Sequence, residues 1–192
     1  MSAEYDDEIW RLVPEEPGPP RPHLVAFVQA LPAVERALDL GCGDGRLGES
    51  LDASELVAAD VSGVALERAR RRLPGAEVVL LEPDAPLPFE DSSFDLVLCA
   101  ETLEHVRDVQ LLLSEARRVL RPGGRLAVTT PANGRPAGLD VLVRGFERRF
   151  DPLSPHIRFF TARSLARLLD GLGFDIVARR RRSKTLLVEA SR

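Results

Sequence analysis

Three groups of residues in this chain have the types and spacing to do chemistry. The first is a glycine-rich turn, Asp39-Leu40-Gly41-Cys42-Gly43-Asp44-Gly45. Glycines at a strand-to-helix turn let a ligand approach the backbone, and a helix opened there offers unpaired N–H groups. Asp39 narrows the choice of ligand, because a carboxylate at a strand's end repels a pyrophosphate and suits a cationic amino group. A literal G-x-G-x-x-G does occur at Gly43, Gly45 and Gly48, the pattern of a dinucleotide site. Counted from the first turn glycine, Gly41, the third glycine of that pattern falls on Arg46. The second group is Asp60 and Asp84, acids that close two apolar runs. The third is Glu101, Glu104, His105 and His156. Histidine titrates near neutral pH, so His105 and His156 are the candidates to take a proton from a weakly acidic hydroxyl.

These residues need elements to hold them. Apolar runs at 36–40, 55–60, 77–84, 94–101 and 125–131 read as strands, alternating with helices at 23–31, 64–73 and 108–120. Asp108 is a good N-cap for the last of these, and Pro122-Gly123-Gly124 stops it. The glycine turn is expected to open one more helix. Continuous apolar strands alternating with helices imply a parallel sheet covered on both faces. Two final strands, 174–180 and 185–191, are separated by only a few residues, which forces an antiparallel hairpin. Thr161 caps a helix whose Leu165, Leu168, Leu169 and Leu172 form one apolar face. The fold class expected is therefore α/β, a doubly wound, mostly parallel seven-stranded sheet with an antiparallel C-terminal strand.

At 192 residues and with 44% hydrophobic and 29% charged residues, the chain reads as one globular domain and not as a disordered one. Residues 1–22, acidic and then proline-rich, read as a loosely structured arm or lid ahead of the main domain at 23–192. The two cysteines make no disulfide framework. There is neither a basic, apolar leader nor a run of about 20 apolar residues, so the expectation is a cytoplasmic protein without a membrane span. The net charge of −4 conceals a basic C-terminal third, almost all arginine, read mainly as a solvated surface.

Taken together, the turn and strand ends resemble the class I S-adenosylmethionine-dependent methyltransferases, over about residues 37–188. Their first motif, an acid followed by x-G-x-G-x-G, is matched by Asp39, Gly41, Gly43 and Gly45. The resemblance implies S-adenosylmethionine as cofactor and Asp60, with Val61, at its ribose hydroxyls. It also implies that Asp84 and Ala85 sit at the adenine, and that Cys99, Ala100 and Glu101 lie beside the methyl donor. CAETLEHVRD, from Cys99, and the later PHIRFFTARSLARLLDGLGF are similar to the ubiquinone- and menaquinone-biosynthesis type of small-molecule methyltransferase. His156 and His105 are then the catalytic candidates.

The acceptor implied is a small, apolar or aromatic and anionic molecule, covered by an insertion at 132–160. That segment brings Phe146, Phe150, Phe159 and Phe160 together with Arg144, Arg148, Arg149 and Arg158. The alternative is that the phenylalanines dock an inserted helix and the arginines face water. Nucleic acid is not the expected partner, and the oligomeric state is not legible. Glu101, Glu104, His105 and His156 also resemble the ligand set of metal-dependent members, among them RNA 3′-terminal and some quinone methyltransferases. Metal-free relatives share the short pattern, so no metal ligand is assigned. An NAD-dependent oxidoreductase and a non-catalytic cofactor-binding module are the competing readings.

Overall fold

Runs buried on both faces become the inner strands. In the computed structural model, which describes residues 3–134, 138, 141–143, 145 and 154–192, these are β1 (Val34–Leu40), β2 (Ala53–Asp60), β4 (Phe94–Ala100) and β5 (Leu120–Pro131). With the shorter β3 (Glu77–Leu80) they run parallel. A hairpin of β6 (Asp175–Arg182) and β7 (Thr185–Ser191) completes a seven-stranded sheet in the order β3-β2-β1-β4-β5-β7-β6. β7 is antiparallel to both its neighbours, as the short link requires.

Successive side chains of a strand face opposite sides. Leu38, Leu40, Val97 and Cys99 therefore share one core with α4 (Val109–Val119) and α5 (Ala162–Gly171). Ala37, Leu96 and Leu98 pack instead on Leu24, Phe27 and Val28 of α2 (Pro22–Gln29). On that side α3 (Gly63–Arg72) sets Leu66 and Ala69 over Ala58. Asp108 caps α4 by accepting from Leu111 N at 2.9 Å, and Thr161 and Ser164 form a capping box at α5.

Several expectations change. The N-terminal arm is not loose: α1 (Ala3–Leu12) is a helix laid on α3. The two helices cap each other. Asp7 of α1 accepts from Ser62 Oγ (2.6 Å) and Val64 N (3.1 Å) at the start of α3. Buried Arg68 of α3 donates to the carbonyls of Trp10, Val13 and Pro14 at the end of α1. Each contact opposes charge to a helix end, which supports a helix too short to persist alone. The glycine turn opens no α-helix. Residues 41–52 are barely enough for a parallel crossover, and they hold only a 3-10 turn at Gly48–Ser50. The third and fourth strands end early, at Leu80 and Ala100, and β5 starts at Leu120, which pairs with Phe94 ahead of an irregularity.

Within 132–160, residues 138 and 141–143 are helical. Leu139, Phe146, Phe150, Arg144, Arg148 and Arg149 lie outside the described residues. Arg179, Arg180, Arg181 and Arg182 stand exposed on β6, the sheet's edge, where charge discourages pairing with another chain. No helix among the described residues is long and apolar enough to cross a membrane.

Candidate active site

The chain leaves β1 toward β2 on one side, while β4 lies on the other. Such a reversal opens a crevice at the carboxyl ends of the strands. The glycine turn sits there, tied to β2 by bonds from Gly41 N (2.8 Å) and Cys42 N (3.1 Å) to Ala59 O. Gly41 and Gly43 adopt φ of 75° and 55°, a left-handed conformation open to glycine. A Cβ on Gly41 would lie 2.4 Å from Thr102 Cγ2, and one on Gly43 2.6 Å from the Trp10 ring. Asp60 accepts from Gly43 N (2.8 Å) and Ser62 N (2.9 Å), one bond to each oxygen. A carboxylate oxygen has a second acceptor site, so two hydroxyls can still be taken up.

Two cavities meet at this turn. One, of about 270 Å³, is lined by Asp60, Val61, Asp84 and Ala85, with Asp6, Ile9 and Trp10 of the N-terminal helix and Val13 just after it above. The other, of about 490 Å³, is lined by Asp39, Glu101, Glu104, His105 and His156, with Pro19, Pro20 and Arg21 from the arm. Trp10, Gly41, Gly43, Glu101 and His105 belong to both.

Asp39 is buried, and its Oδ2 has no hydrogen-bond partner among the described residues. Burial, then the charges of Asp60 and Asp44, push its carboxyl up to about 7. Burial also raises Asp60. Glu104 is pushed up to about 8 by burial and by Glu101, and its Oε2 accepts from Thr130 Oγ1 at 2.9 Å. His105 is driven down to about 4 by burial and by His156, so it is neutral at pH 7. Its Nδ1 lies 3.1 Å from Pro155 O. A carbonyl only accepts, so Nδ1 carries the proton and Nε2 keeps its lone pair. The His156 ring meets it edge-on at 4.8 Å, and burial lowers His156 too. Glu101 has φ of 54°, rare for a side chain of this type, and is held by Thr129 Oγ1 (3.0 Å) and Arg21 Nη1 (3.1 Å).

Residues 38–128 match the family model described as a methyltransferase domain. Over 161 residues the chain is 39% identical to a demethylmenaquinone methyltransferase from Clavibacter sepedonicus, covering 79% of this chain and 58% of that protein. The chain carries a methyltransferase domain. It is also 38% identical, over 71% of its length and 53% of the relative's, to a 27-O-demethylrifamycin SV methyltransferase from Amycolatopsis mediterranei. Thus it spans little more than half the length of these two curated relatives. A solved S-adenosylmethionine-dependent methyltransferase from Mesorhizobium loti superposes with a TM-score of 0.66 at 26% identity, over 89% of this chain and 96% of that one.

The methyltransferase domain's crevice fits the cofactor the family implies. Asp39 offers a buried acceptor with no partner among the described residues, suited to an ammonium, and the Gly41 and Gly43 backbone lines both cavities. The lack of an α-helix after the turn removes the helix N-terminus on which a dinucleotide's phosphates would rest. Glu104, His105 and His156 fit a divalent ion as well, with ligand atoms all within 4.8 Å of one another.

Not every expected site residue reaches the crevice. Cys99 lines neither cavity; it faces α4 in the main core, fully buried with its thiol pKa raised, because only alternate residues of β4 face one side. Ala100 and Glu101, expected beside it, do line the larger cavity. Asp84 lines the smaller cavity and is paired with Arg107 Nε at 3.3 Å. Phe160 is a buried core residue, and Arg158 is a staple, donating to the carbonyls of Val106 (2.8 Å) and Arg107. With Ile157 N and Arg158 N both donating to Glu104 O, it fastens the returning insertion beside His105. The sequence reading missed Trp10, Arg21, Thr129 and Thr130. Acids in the first turn of residues 3–12 and Arg11 in the last were the available signal for that helix.

Proposed function

We propose that this chain transfers a methyl group from S-adenosylmethionine to an oxygen of a small, largely apolar acceptor. The observation that carries the reading is the meeting of two cavities at one glycine turn, with Asp39, unpartnered among the described residues, in one and Asp60, each oxygen accepting one backbone N–H, in the other. The bound cofactor supplies a methyl group on a sulfonium, open to in-line displacement.

The chain's own residues do the rest. Asp39 attracts the ammonium, Asp60 and Val61 take the ribose side, and Asp84 and Ala85 border the adenine. His156 and His105, whose rings meet edge-on, are the pair that takes up the acceptor's proton. Holding acceptor and donor in line can contribute roughly 7–11 kcal/mol. Pro19, Pro20, Leu24, Leu47 and Pro131 give the larger cavity an apolar part for the acceptor's body, beside a polar part that includes Arg21, Glu101 and Glu104. Arg21 provides the contact for an acceptor's anionic group. The relatives' names, demethylmenaquinone and 27-O-demethylrifamycin SV methyltransferases, support a small-molecule acceptor class.

The test is calorimetric titration with S-adenosylmethionine and with NAD, followed by mass-spectrometric detection of methyl gain on a panel of phenols, hydroquinones and carboxylates. NAD binding in place of S-adenosylmethionine overturns the proposal, and cofactor binding without any turnover makes the chain a binding module. A second reading is favoured by the Glu104–His105–His156 cluster: these side chains hold a divalent cation that acidifies the acceptor hydroxyl. Full turnover in metal-free buffer with chelator refutes it.

A further inference from the structure

The inward face of α1 rests on no core. Among its residues none is buried, yet Asp6, Ile9 and Trp10 are half-buried, and with Val13 just beyond the helix they line the roof of the smaller cavity. Apolar side chains at i, i+1 and i+4 need something to pack against. The helix is held by charged clamps at its flank, Asp7 on the start of α3 and Arg68 on its own last carbonyls, while its apolar stripe faces open volume. Trp10 lies where the two cavities meet, with its ring against Gly43 and the Arg68 guanidinium 5.7 Å from the ring centre. It is the chain's one tryptophan.

We infer that α1 is a wall of the cofactor site, in which Trp10 is a positioning residue that packs on bound cofactor and separates its adenosine side from the acceptor chamber. This rests on the cofactor placement proposed above. Cofactor then fills the volume beneath Ile9, Trp10 and Val13, and docking of α1 and binding of cofactor strengthen each other. Asp6, whose carboxyl is raised by burial, faces the same cavity as Asp60 and adds an acceptor on the roof.

Two measurements on the wild-type chain test this without any substitution. Titration with S-adenosylhomocysteine should shift and saturate the Trp10 emission, with a midpoint equal to the calorimetric Kd. The same ligand should slow tryptic cleavage after Arg11 by about tenfold, as expected when a locally opening helix is held closed. Trp10→Ala should weaken S-adenosylhomocysteine binding by about tenfold, with Trp10→Phe recovering most of it. Asp60→Ala separates the two claims. If Asp60→Ala leaves affinity unchanged, the cofactor placement itself is wrong and this inference falls with it. If Asp60→Ala weakens binding while emission, cleavage and Trp10→Ala affinity stay unmoved, the role of α1 alone is overturned. Should Trp10→Ala fail to fold, the wild-type emission and cleavage measurements decide the matter.

Discussion

The two halves of the crevice are built on different principles. The half proposed for the cofactor is made of strand ends and one turn: Gly41 N bonds Ala59 O of β2, and the Asp60 carboxylate holds Gly43 N and Ser62 N. The acceptor half is assembled from pieces far apart in the chain. Arg21 comes from the arm, Glu104 and His105 from the 3-10 turn after β4, and His156 from the returning insertion. Its junction is a handful of hydrogen bonds onto Glu104, His105, Val106 and Arg107. A rigid half suits a ligand common to many relatives, and a stapled half can vary without disturbing it.

Substitutions should separate the halves. The largest effect is expected from Asp60→Ala, which removes two bonds to the ribose, each worth roughly 1.5–3 kcal/mol, and frees Gly43 N besides. Calorimetry should show affinity for S-adenosylmethionine lowered by about a hundredfold or more. Gly41→Ala should follow, since its Cβ would meet Thr102 in a left-handed backbone; a loss of about 2 kcal/mol in cofactor binding is expected, read in the same titration.

Asp39 gives a test in pH. Its pKa is raised in the folded chain to about 7, so the folded state holds the proton more tightly than the unfolded one. Its contribution to stability is therefore complete below the unfolded value and is lost as pH rises through 7. The ammonium of the cofactor favours the carboxylate. Cofactor affinity should accordingly climb as pH rises toward and through 7, by up to about tenfold per unit, with a proton released on binding below it. Asp39→Asn should flatten that dependence, weaken binding at pH 8 and raise the apo-protein's melting temperature there. A pH-independent wild-type affinity would falsify this account of Asp39.

In the acceptor half, Arg158→Ala removes the staple to Val106 and Arg107. A loss of about 1–2 kcal/mol is expected, appearing as a higher KM for acceptor while cofactor Kd is unchanged. An equal loss of cofactor affinity would show the halves to be one unit. Least of all should come from Arg180→Gln on the exposed edge strand, where stability and turnover stay within about 0.5 kcal/mol of wild type.

The contrast explains what could be read from the chain. Asp39, Gly41, Gly43 and Asp60 were legible because their roles depend on local order: a strand end, a left-handed turn, the next strand end. Cys99 was misplaced because the pleat decides which neighbours face the crevice, and one residue of offset reverses the answer. Arg158 and Phe160 read equally as ligand contacts or as a solvated arginine and a docking phenylalanine; one bonds backbone carbonyls and the other fills the core. Nothing in their types separates those uses.

By itself the sequence determined the alternation of strands and helices, the antiparallel hairpin at the end, and the acids and glycines of the cofactor turn. These follow from period, burial and φ, properties carried by residues close together in the chain. Only the tertiary structure decided that the arm is a helix clamped to α3, that Trp10 stands between two cavities, and that His105 and His156 meet edge-on. Each of these depends on charges and hydrogen bonds between segments some fifty residues apart, such as Asp7 with Ser62, Arg68 with Trp10 and His105 with Pro155. Short-range pattern cannot record such pairings, because each partner's type is also satisfied by water.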